Sequence, residues 1–203
     1  MAVPAIADAI DQAVAVLRRG GVVAFPTDTL YALGADAGAD EAVARVYAVK
    51  GREGGRPLPL FVGGLEMAER VALLNDSARR LAARFWPGAL TLVLPRRPRF
   101  HSLALAGGDT VALRVPDHAI ALAVVRSLGR PVTGTSANRS GGKDPLTAAD
   151  VEEQIGGEVD FLLDGGPCDL GSPSTIVECA GAAVRILRAG AIDEDAIKHV
   201  THA

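Results

Sequence analysis

The stretch VALRVPDHAIALAVVRSLGRPVT, residues 111–133, contains a strand, a helix and the start of a second strand in succession. The apolar run at residues 111–115 predicts the first strand. The apolar residues of the helix share one face: Ala121, Val124, Val125 and Leu128. Gly129 is a typical helix end, and residues 131–133 begin the second strand. Helices alternate with apolar strands in this way along the sequence, which predicts an α/β fold built on a twisted, mixed sheet with flanking helices.

The other predicted elements extend this alternation. Further strands are predicted at residues 22–25, 58–62, 90–94, 160–163, 175–178 and 184–187. Further helices are predicted over residues 6–17, from Asp40 to near Lys50, twice between residues 63 and 86, over residues 147–155, and from Asp193. Asp40 is expected to cap its helix, and Thr147 with Asp150 predicts a capping box. The last three strands lie too close together for helical crossovers, so we expect hairpins or irregular connections there, not a strictly parallel sheet.

Composition indicates a packed globular chain. Of the 203 residues, 49% are hydrophobic and 22% are charged, and we expect residues 1–203 to form one domain without an additional C-terminal domain. The net charge of -3 provides no overall positive field for nucleic acid or anionic membranes. Cys168 and Cys179 form no C-x-x-C pair, which favours a reduced, cytoplasmic chain. Residues 1–19 lack the apolar run of a signal peptide, and no stretch predicts a membrane span.

Several familiar motifs are absent or incomplete. The sequence has neither a P-loop nor a G-x-G-x-x-G fingerprint. The segment GTSAN at residues 134–138 follows a strand and resembles a nucleophile elbow around Ser136, but it lacks the final glycine, so a serine hydrolase is not favoured. Ser136 and Asn138 fit better as hydrogen-bond donors to a bound anion. The four histidines lie far apart, and we assign no metal site to protein side chains.

Three cations, Lys50, Arg52 and Arg56, lie within seven residues of a glycine-rich loop. Such a cluster is often only a solvated surface. The alternative is a phosphate site, because the loop joins a predicted helix to a buried strand and arginine forks match phosphate oxygens. Arg114 and Arg188 lie in predicted strands, where a single arginine normally points to solvent. If several arginines converge on one cleft, they could instead hold carboxylate and phosphate groups.

The turn at residues 26–31, PTDTLY, also allows two interpretations. Proline, aspartate and threonine favour turns through local hydrogen bonds. Two hydroxyls and a carboxylate at the end of a strand could equally bind a small polar substrate. The turn alone does not decide between these interpretations.

Eight segments carry a family resemblance when they are taken together and in order. They are PTDTLYALG (26–34), KGREGGRPLPL (50–60), WPGALTLVL (86–94), TVALRVPDH (110–118), TSANRSG (135–141), DGG (164–166), PSTIV (173–177) and ILRAG (186–190). Together they resemble the L-threonylcarbamoyladenylate synthases of the YrdC type. The resemblance implies an α/β fold around a positively charged concave cavity.

The resemblance also implies an activity, that of a nucleotidyltransferase. L-Threonine, bicarbonate or CO2, and ATP as a substrate would give threonylcarbamoyl-AMP and pyrophosphate, the first step of N6-threonylcarbamoyladenosine (t6A) modification at position 37 of tRNA. Mg²⁺ is expected to accompany the nucleotide, and no prosthetic group is expected. The product would pass to a tRNA-modifying threonylcarbamoyl transferase. The resemblance leaves room for a weak affinity for tRNA or double-stranded RNA, and none for a membrane.

The resemblance assigns roles to residues by position. It implies catalytic roles for Lys50 and Arg52. ATP binding is assigned to Arg52, Arg56, Thr110, Ser136, Asn138, Asp144 and Arg188. Threonine binding is assigned to Thr29, Arg114, Gly134 and Ser174. The sequence departs from the family pattern at Asp28, Ala32 and Arg56, and at Phe61, where some relatives carry a histidine that touches threonine.

Two other functions remain open at this point. A non-catalytic RNA-binding or nucleotide-sensing module would use a basic concave surface, but the acidic balance and the lack of aromatic pairs spaced for base stacking count against it. A carbamoyl-adenylate synthase would share the adenylation chemistry, but that domain normally belongs to a much longer chain. Pyrophosphate release that depends on threonine would distinguish the threonine enzyme from both.

Overall fold

The computed structural model describes residues 6–52, 55–181 and 183–202. Within them, the helices are α1 (Ile6–Arg18), α2 (Asp40–Lys50), α3 (Leu65–Val71), α4 (Asp76–Phe85), α5 (Ala119–Leu128), α6 (Ala148–Ile155) and α7 (Glu194–His202). The strands are β1 (Val23–Phe25), β2 (Ala32–Gly34), β3 (Leu60–Phe61), β4 (Leu90–Pro95), β5 (Thr110–Arg114), β6 (Val132–Thr133), β7 (Thr135–Ser136), β8 (Phe161–Leu162), β9 (Thr175–Glu178) and β10 (Arg185–Arg188). Glu53 and Gly54 of the cationic loop lie outside the described residues.

The strands form two sheets, where the sequence predicted one. The first has the order β7-β2-β1-β8, and the second has the order β10-β9-β4-β5-β3-β6. Both sheets are mixed: β1 pairs antiparallel with β2 and parallel with β8, while β4 pairs antiparallel with β5 and parallel with β9. The predicted α/β class and mixed pairing are therefore confirmed. The expected hairpin is found between β9 and β10, but β8 belongs to the other sheet.

The chain passes from the second sheet to the first at Gly134, which lies between β6 and β7. The Gly134 N–H donates to the carbonyl of Pro59 (2.8 Å). A Cβ atom at this position would lie 2.7 Å from the Phe61 ring, closer than side chains normally approach. A glycine is therefore required where the two sheets meet, because only its backbone fits against the ring.

The helices cover the sheets through apolar faces. In α1, the buried face includes Ala13, Val14 and Leu17, and the helix packs against α5 and β8. Strand β1 is buried on both faces, as expected for a strand between layers. Among the described residues, no helix combines the length and apolar character that a membrane crossing requires.

The end of α2 determines where the cationic loop begins. Gly51 adopts a left-handed conformation (φ 62°), and its N–H donates to the carbonyl of Ala48. The N–H of Arg52 donates to the carbonyl of Tyr47 (3.0 Å), which completes a Schellman-type ending. Lys50 is thus the last helical residue, and Arg52 lies beyond the helix end.

One predicted helix cap is confirmed and one is wrong. Thr147 accepts a hydrogen bond from the Asp150 N–H while the Asp150 carboxylate accepts from the Thr147 N–H, so the capping box exists. Asp40 does not cap α2, which begins at Asp40 itself after Ala39. The Asp40 carboxylate instead accepts from the N–H of Leu103 (2.9 Å) and ties the helix start to a short 3₁₀ turn.

Candidate functional site

A cavity of about 330 Å³ lies between the two sheets. Ala32, Thr135 and Ser136 line it from the first sheet, and Phe61, Thr91, Arg114, Ile176 and Arg188 line it from the second. Loop residues complete the wall, among them Thr29, Arg52, Gly134, Asp144 and Ser174. Three arginines and one carboxylate therefore face a single space. The eight predicted site residues that the cavity brings together are Thr29, Arg52, Arg114, Gly134, Ser136, Asp144, Ser174 and Arg188.

Arg114 lies at the closed end of the cavity, with only 5% of its side chain exposed. Its Nη2 donates to the Asp28 carboxylate (2.6 Å), its Nη1 to the Thr29 hydroxyl (2.8 Å), and its Nε to the carbonyl of Gly88 (2.9 Å). The expectation that a single strand arginine points to solvent is wrong here. The reason is Asp28, which supplies a buried partner from a distant part of the chain.

The surroundings of Arg114 keep part of its guanidinium available. Burial lowers its pKa, and the charge of Asp28 opposes that shift. The guanidinium also lies over the Phe61 ring, with the central carbon 5.8 Å from the ring centroid. A guanidinium carries five N–H groups. Since three of them donate within the described residues, two are left without a protein partner.

Hydroxyl groups surround this end of the cavity. The Thr29 hydroxyl lies 3.0 Å from that of Thr27, which also donates to the carbonyl of Leu30. Across the cavity, the hydroxyls of Thr91 and Ser174 are 2.8 Å apart. The predicted threonine-binding residues Thr29, Arg114 and Ser174 therefore all line the cavity, together with Thr27 and Thr91.

Arg188 connects this end to the rest of the cavity. Its Nη2 donates to the Ser174 carbonyl (2.6 Å) and approaches the Ser174 hydroxyl (3.2 Å). Burial lowers the pKa of Arg188, the charge of Arg114 lowers it further, and the carboxylate of Asp144 opposes both effects. The charge of Arg114 therefore reaches Arg188, where the carboxylate of Asp144 partly offsets it.

Lys50, at the end of α2, and Arg52 and Arg56, which follow it, do not share one surface, contrary to the cluster expected from the sequence. Arg52 lines the cavity, and its Nε donates to the Ser140 hydroxyl (2.6 Å). Arg56 is exposed and does not line the cavity, although its carbonyl accepts from the Tyr47 hydroxyl (2.8 Å). Lys50 is buried behind the wall because it still belongs to the helix.

The ammonium of Lys50 is enclosed by the loop that follows β7. It donates to the Ser136 carbonyl (2.6 Å) and to the amide oxygen of Asn138 (2.7 Å), and it approaches the Ser136 hydroxyl (3.3 Å). Burial lowers its pKa to about 8, and the nearby charge of Arg52 acts in the same direction. The side chain is 1% exposed. The structure therefore places Lys50 against the cavity wall and not inside the cavity.

Two other predicted ATP ligands also lie outside the cavity lining. Thr110 begins β5, opposite Pro95, whereas Arg114 ends the same strand. Asn138 is buried, and its amide nitrogen donates to the carbonyls of Gly142 and Lys143 (both 3.1 Å). Their assignments to ATP remain predictions. By position in the structure, Asn138 shapes the loop that carries Ser136.

The nucleophile-elbow interpretation of Ser136 finds no support in the geometry. The Ser136 hydroxyl donates to the Asn138 amide oxygen (2.8 Å), and no histidine lines the cavity among the described residues. A serine nucleophile gives its proton to a base, whereas this proton is directed at the amide, and the Lys50 ammonium approaches the hydroxyl as a donor (3.3 Å). The hydroxyl is instead held beside Lys50, at the edge of the space where an anion could bind.

Sequence reasoning assigned no role to four residues of the site. Thr91 is buried in β4. The available signal in the sequence was a hydroxyl residue within a run of apolar residues. Thr27 and Tyr31 belong to the turn that was left undecided, and both line the cavity. The Tyr31 hydroxyl donates to the Gly166 carbonyl (2.8 Å) and so joins the turn to the DGG segment. Asp28 had appeared as the carboxylate of that undecided turn and as a departure from the family pattern.

Comparisons with known proteins place this chain in a family. The model of the Sua5_yciO_yrdC family, described as telomere recombination, matches residues 15–190. The threonylcarbamoyl-AMP synthase of Bacillus subtilis is 42% identical over 193 residues, which cover 94% of this chain and 56% of that protein. The threonylcarbamoyl-AMP synthase of Chromohalobacter salexigens is 37% identical over 171 residues, 84% of this chain and 92% of that protein.

A solved structure gives the same result. Pyrococcus abyssi Sua5 complexed with L-threonine superposes with a TM-score of 0.91 at 38% identity, and the match covers 94% of this chain and 56% of that chain. The present chain thus spans about half the length of the Bacillus protein and of the Pyrococcus structure. The family resemblance drawn from the eight segments is confirmed: the chain belongs to the Sua5/YciO/YrdC family.

Proposed function

We propose that this chain catalyses the formation of threonylcarbamoyl-AMP and pyrophosphate from L-threonine, bicarbonate or CO2, and ATP. The observation that carries the proposal is one cavity in which a buried arginine with two free N–H groups faces two further arginines. A carboxylate and a polyphosphate could bind side by side in such a space. The names of the two synthases and of the threonine-bound structure support the same assignment.

Threonine would bind at the closed end. Its carboxylate would accept from the two remaining N–H groups of Arg114, a bidentate geometry that favours arginine over lysine. Its hydroxyl would bond to Thr29 or Ser174, which a substrate without the hydroxyl would leave unpaired. Gly134 also lines this space. It presents backbone there, because the Phe61 ring leaves no room for a side chain at this position.

ATP would occupy the end lined by Arg52, Ser136 and Arg188. Arginine forks suit phosphate oxygens, and the Ser136 hydroxyl lies beside them in the wall. Arg56 and Thr110, which the resemblance also assigns to ATP, lie outside this lining and would have to contact parts of the nucleotide beyond the cavity. Of the two residues predicted to be catalytic, Arg52 lines the cavity, and we propose that it stabilises charge that builds up during the reaction.

The chemistry requires no protein nucleophile. The amino group of threonine attacks CO2 and loses a proton, which gives a carbamate. A carbamate oxygen then attacks the α-phosphate, and pyrophosphate leaves as the P–O bond to it breaks. Orientation of two bound reactants can supply about 7–11 kcal/mol of such a barrier, and cations aimed at developing charge supply more. This nucleotidyl transfer would therefore depend mainly on Arg114 for orientation and on Arg52 and Arg188 for charge.

Mg²⁺ fits this arrangement as a companion of ATP. The described residues contain no group of three His, Cys, Asp or Glu side chains that could hold a metal by themselves. Mg²⁺ commonly binds one or two carboxylates together with substrate phosphates. The phosphates of ATP and the carboxylate of Asp144 would hold the ion, which would neutralise phosphate charge.

The cellular setting is part of the same proposal. Both cysteines are free thiols, which suits the reducing cytoplasm. The mixed anhydride is a reactive product, so we propose that a tRNA-modifying transferase consumes it as the next step of t6A synthesis. A weak affinity for tRNA would serve this transfer, but the catalytic proposal does not depend on it.

Pyrophosphate release from ATP and bicarbonate, measured with and without L-threonine, tests the proposal. We expect release that requires threonine and is lost when Arg52 is replaced by alanine, with the fold intact because Arg52 makes one side-chain hydrogen bond at a loop. Arg56→Ala is the matched control in the same loop, and its smaller effect would agree with its exposed position. Release without threonine, or none while RNA binds tightly, would overturn the proposal.

A further inference from the structure

Lys50 has no N–H group left over for a substrate. An ammonium carries three donors, and three acceptors surround it: the Ser136 carbonyl, the Asn138 amide oxygen and, at a longer distance, the Ser136 hydroxyl. The side chain is 1% exposed and does not line the cavity. A ligand could contact this ammonium only after one of these internal bonds had been broken.

The acceptors of Lys50 belong to a loop that reaches the cavity. Asn138, held by Lys50 on its oxygen side, donates from its nitrogen to the carbonyls of Gly142 and Lys143. The residue after Lys143 is Asp144, which lines the cavity, as does Ser136 at the other end of the same loop. The ammonium therefore lies at the base of the loop that carries two groups of the proposed ATP site.

We propose that Lys50 is a positioning residue, which holds Ser136 and the loop through Asp144 in the geometry that the proposed adenylation requires, without contacting the substrate. This inference rests on the proposed function for its kinetic readout. It replaces the catalytic role that the family resemblance implied for Lys50. Arg52, two residues later, retains the substrate-facing role because its side chain lines the cavity.

The ammonium is the charged donor to these acceptors. Their other donors are neutral: the Ser136 carbonyl also accepts from the Asn138 N–H (2.9 Å), and the Asn138 oxygen also accepts from the Ser136 hydroxyl (2.8 Å). Removal of the ammonium would leave the Ser136 carbonyl and the Asn138 oxygen without their charged donor. The loss of a buried hydrogen bond costs more free energy than the loss of an exposed one. Arg52 and Asp144 are the charges that act on Lys50, with opposite effects. Arg139 and Lys143 of the same loop are paired elsewhere, with Glu158 and Asp150.

A double-mutant cycle separates positioning from substrate contact. Lys50→Met and Asn138→Ala are each expected to lower kcat about 10–100-fold, the value of a hydrogen bond to a charged group. If Lys50 acts through Asn138, the double variant should be little worse than either single variant, since the two share one interaction. Full additivity, together with a raised KM for ATP in Lys50→Met, would indicate that the ammonium contacts ATP and would overturn the proposal.

The dependence of the turnover rate on alkaline pH gives a second test. Deprotonation of Lys50 removes one of its three donors, and a side chain that served only to fill space would not respond to this change. With a pKa of about 8, the ammonium fraction of Lys50 falls about tenfold between pH 7 and pH 9. The neutral amine keeps two donors for three acceptors. The ratio of wild-type to Lys50→Met rates, which cancels the ionisation of threonine and bicarbonate, should fall by up to tenfold over this range. Asn138→Asp should move the fall to higher pH, and an unchanged ratio would contradict the proposal.

Hydrogen–deuterium exchange tests positioning without catalysis. The amides of Ser140 and Gly142 should exchange faster in Lys50→Met than in the wild type, because the loop loses its buried anchor. Lys143→Met is the matched control, since its ammonium pairs with Asp150 at the surface, and it should leave exchange and turnover unchanged. Unchanged exchange in Lys50→Met would refute the anchor. If the wild type shows no threonine-dependent turnover, the proposed function fails, while the exchange result still decides the role of Lys50.

Discussion

Replacement of Arg114 by methionine should separate the structural and the substrate-binding roles of this residue. Its partner Asp28 is 6% exposed, and one oxygen of that carboxylate already lacks a hydrogen-bond partner within the described chain. Loss of Arg114 would leave the buried charge without its ion pair. Breaking a buried pair in this way costs about 3–5 kcal/mol, which lowers Tm by roughly 6–20 °C in a chain of this size.

The second change, Asp28→Asn in the same molecule, removes the orphaned charge. Because a buried pair replaced by neutral groups is often tolerated, the double variant should recover most of the lost stability. It should not recover threonine binding. The two N–H groups available for the carboxylate disappear with Arg114, and even about 3 kcal/mol lost in this way lowers kcat/KM for threonine about 100-fold.

The assay is kcat/KM for threonine beside a thermal melt of each variant. Arg126→Met is the control, because Arg126 is exposed, donates to the carbonyl of Gly63 and does not line the cavity. It should leave the threonine constants unchanged. A double variant that regains both the wild-type Tm and threonine-dependent turnover would refute the assignment of the carboxylate site to Arg114.

Three further predictions concern packing, capping and thiol reactivity. Gly134→Ala should destabilise the fold by about 1–3 kcal/mol through a clash with Phe61, measured by urea unfolding, and Phe61→Leu in the same molecule should relieve most of it. Thr147→Ala should lower the free energy of unfolding by about 1 kcal/mol, and no change would contradict the capping box with Asp150. Burial raises the pKa of Cys179 to about 11, so thiol reagents at pH 8 should label it only after unfolding; rapid labelling of the native protein would contradict this.

The sequence was most informative where a pattern is local. The alternation of helices and apolar strands, the capping box at Thr147 and the helix end at Gly129 all depend on residues within one or two turns of each other. The same reasoning failed for β2 and β7, which have three and two residues. Segments this short show no periodicity, and their pairing with each other depends on about 100 intervening residues. Both strands belong to the first sheet, together with β1 and β8.

The burial of charged residues could not be predicted for the same reason. Arg114 is buried because Asp28 meets it from 86 residues away, and Lys50 because Asn138 meets it from 88 residues away. Neither partner is close in sequence, so composition and periodicity favoured exposed cations. The family resemblance selected eight residues that do converge on the cavity, but it could not distinguish Arg52, which faces the space, from Lys50, which supports its wall.

The identity of the nucleotide product tests the central claim most directly. ATP, L-threonine and ¹³C-bicarbonate should yield, by mass spectrometry, an adenylate that contains both threonine and one added mass unit from the labelled carbon, together with pyrophosphate. Withdrawal of threonine should abolish the product. An adenylate that carries labelled carbon but no threonine, or the absence of any adenylate in a folded, ATP-binding protein, would contradict the account.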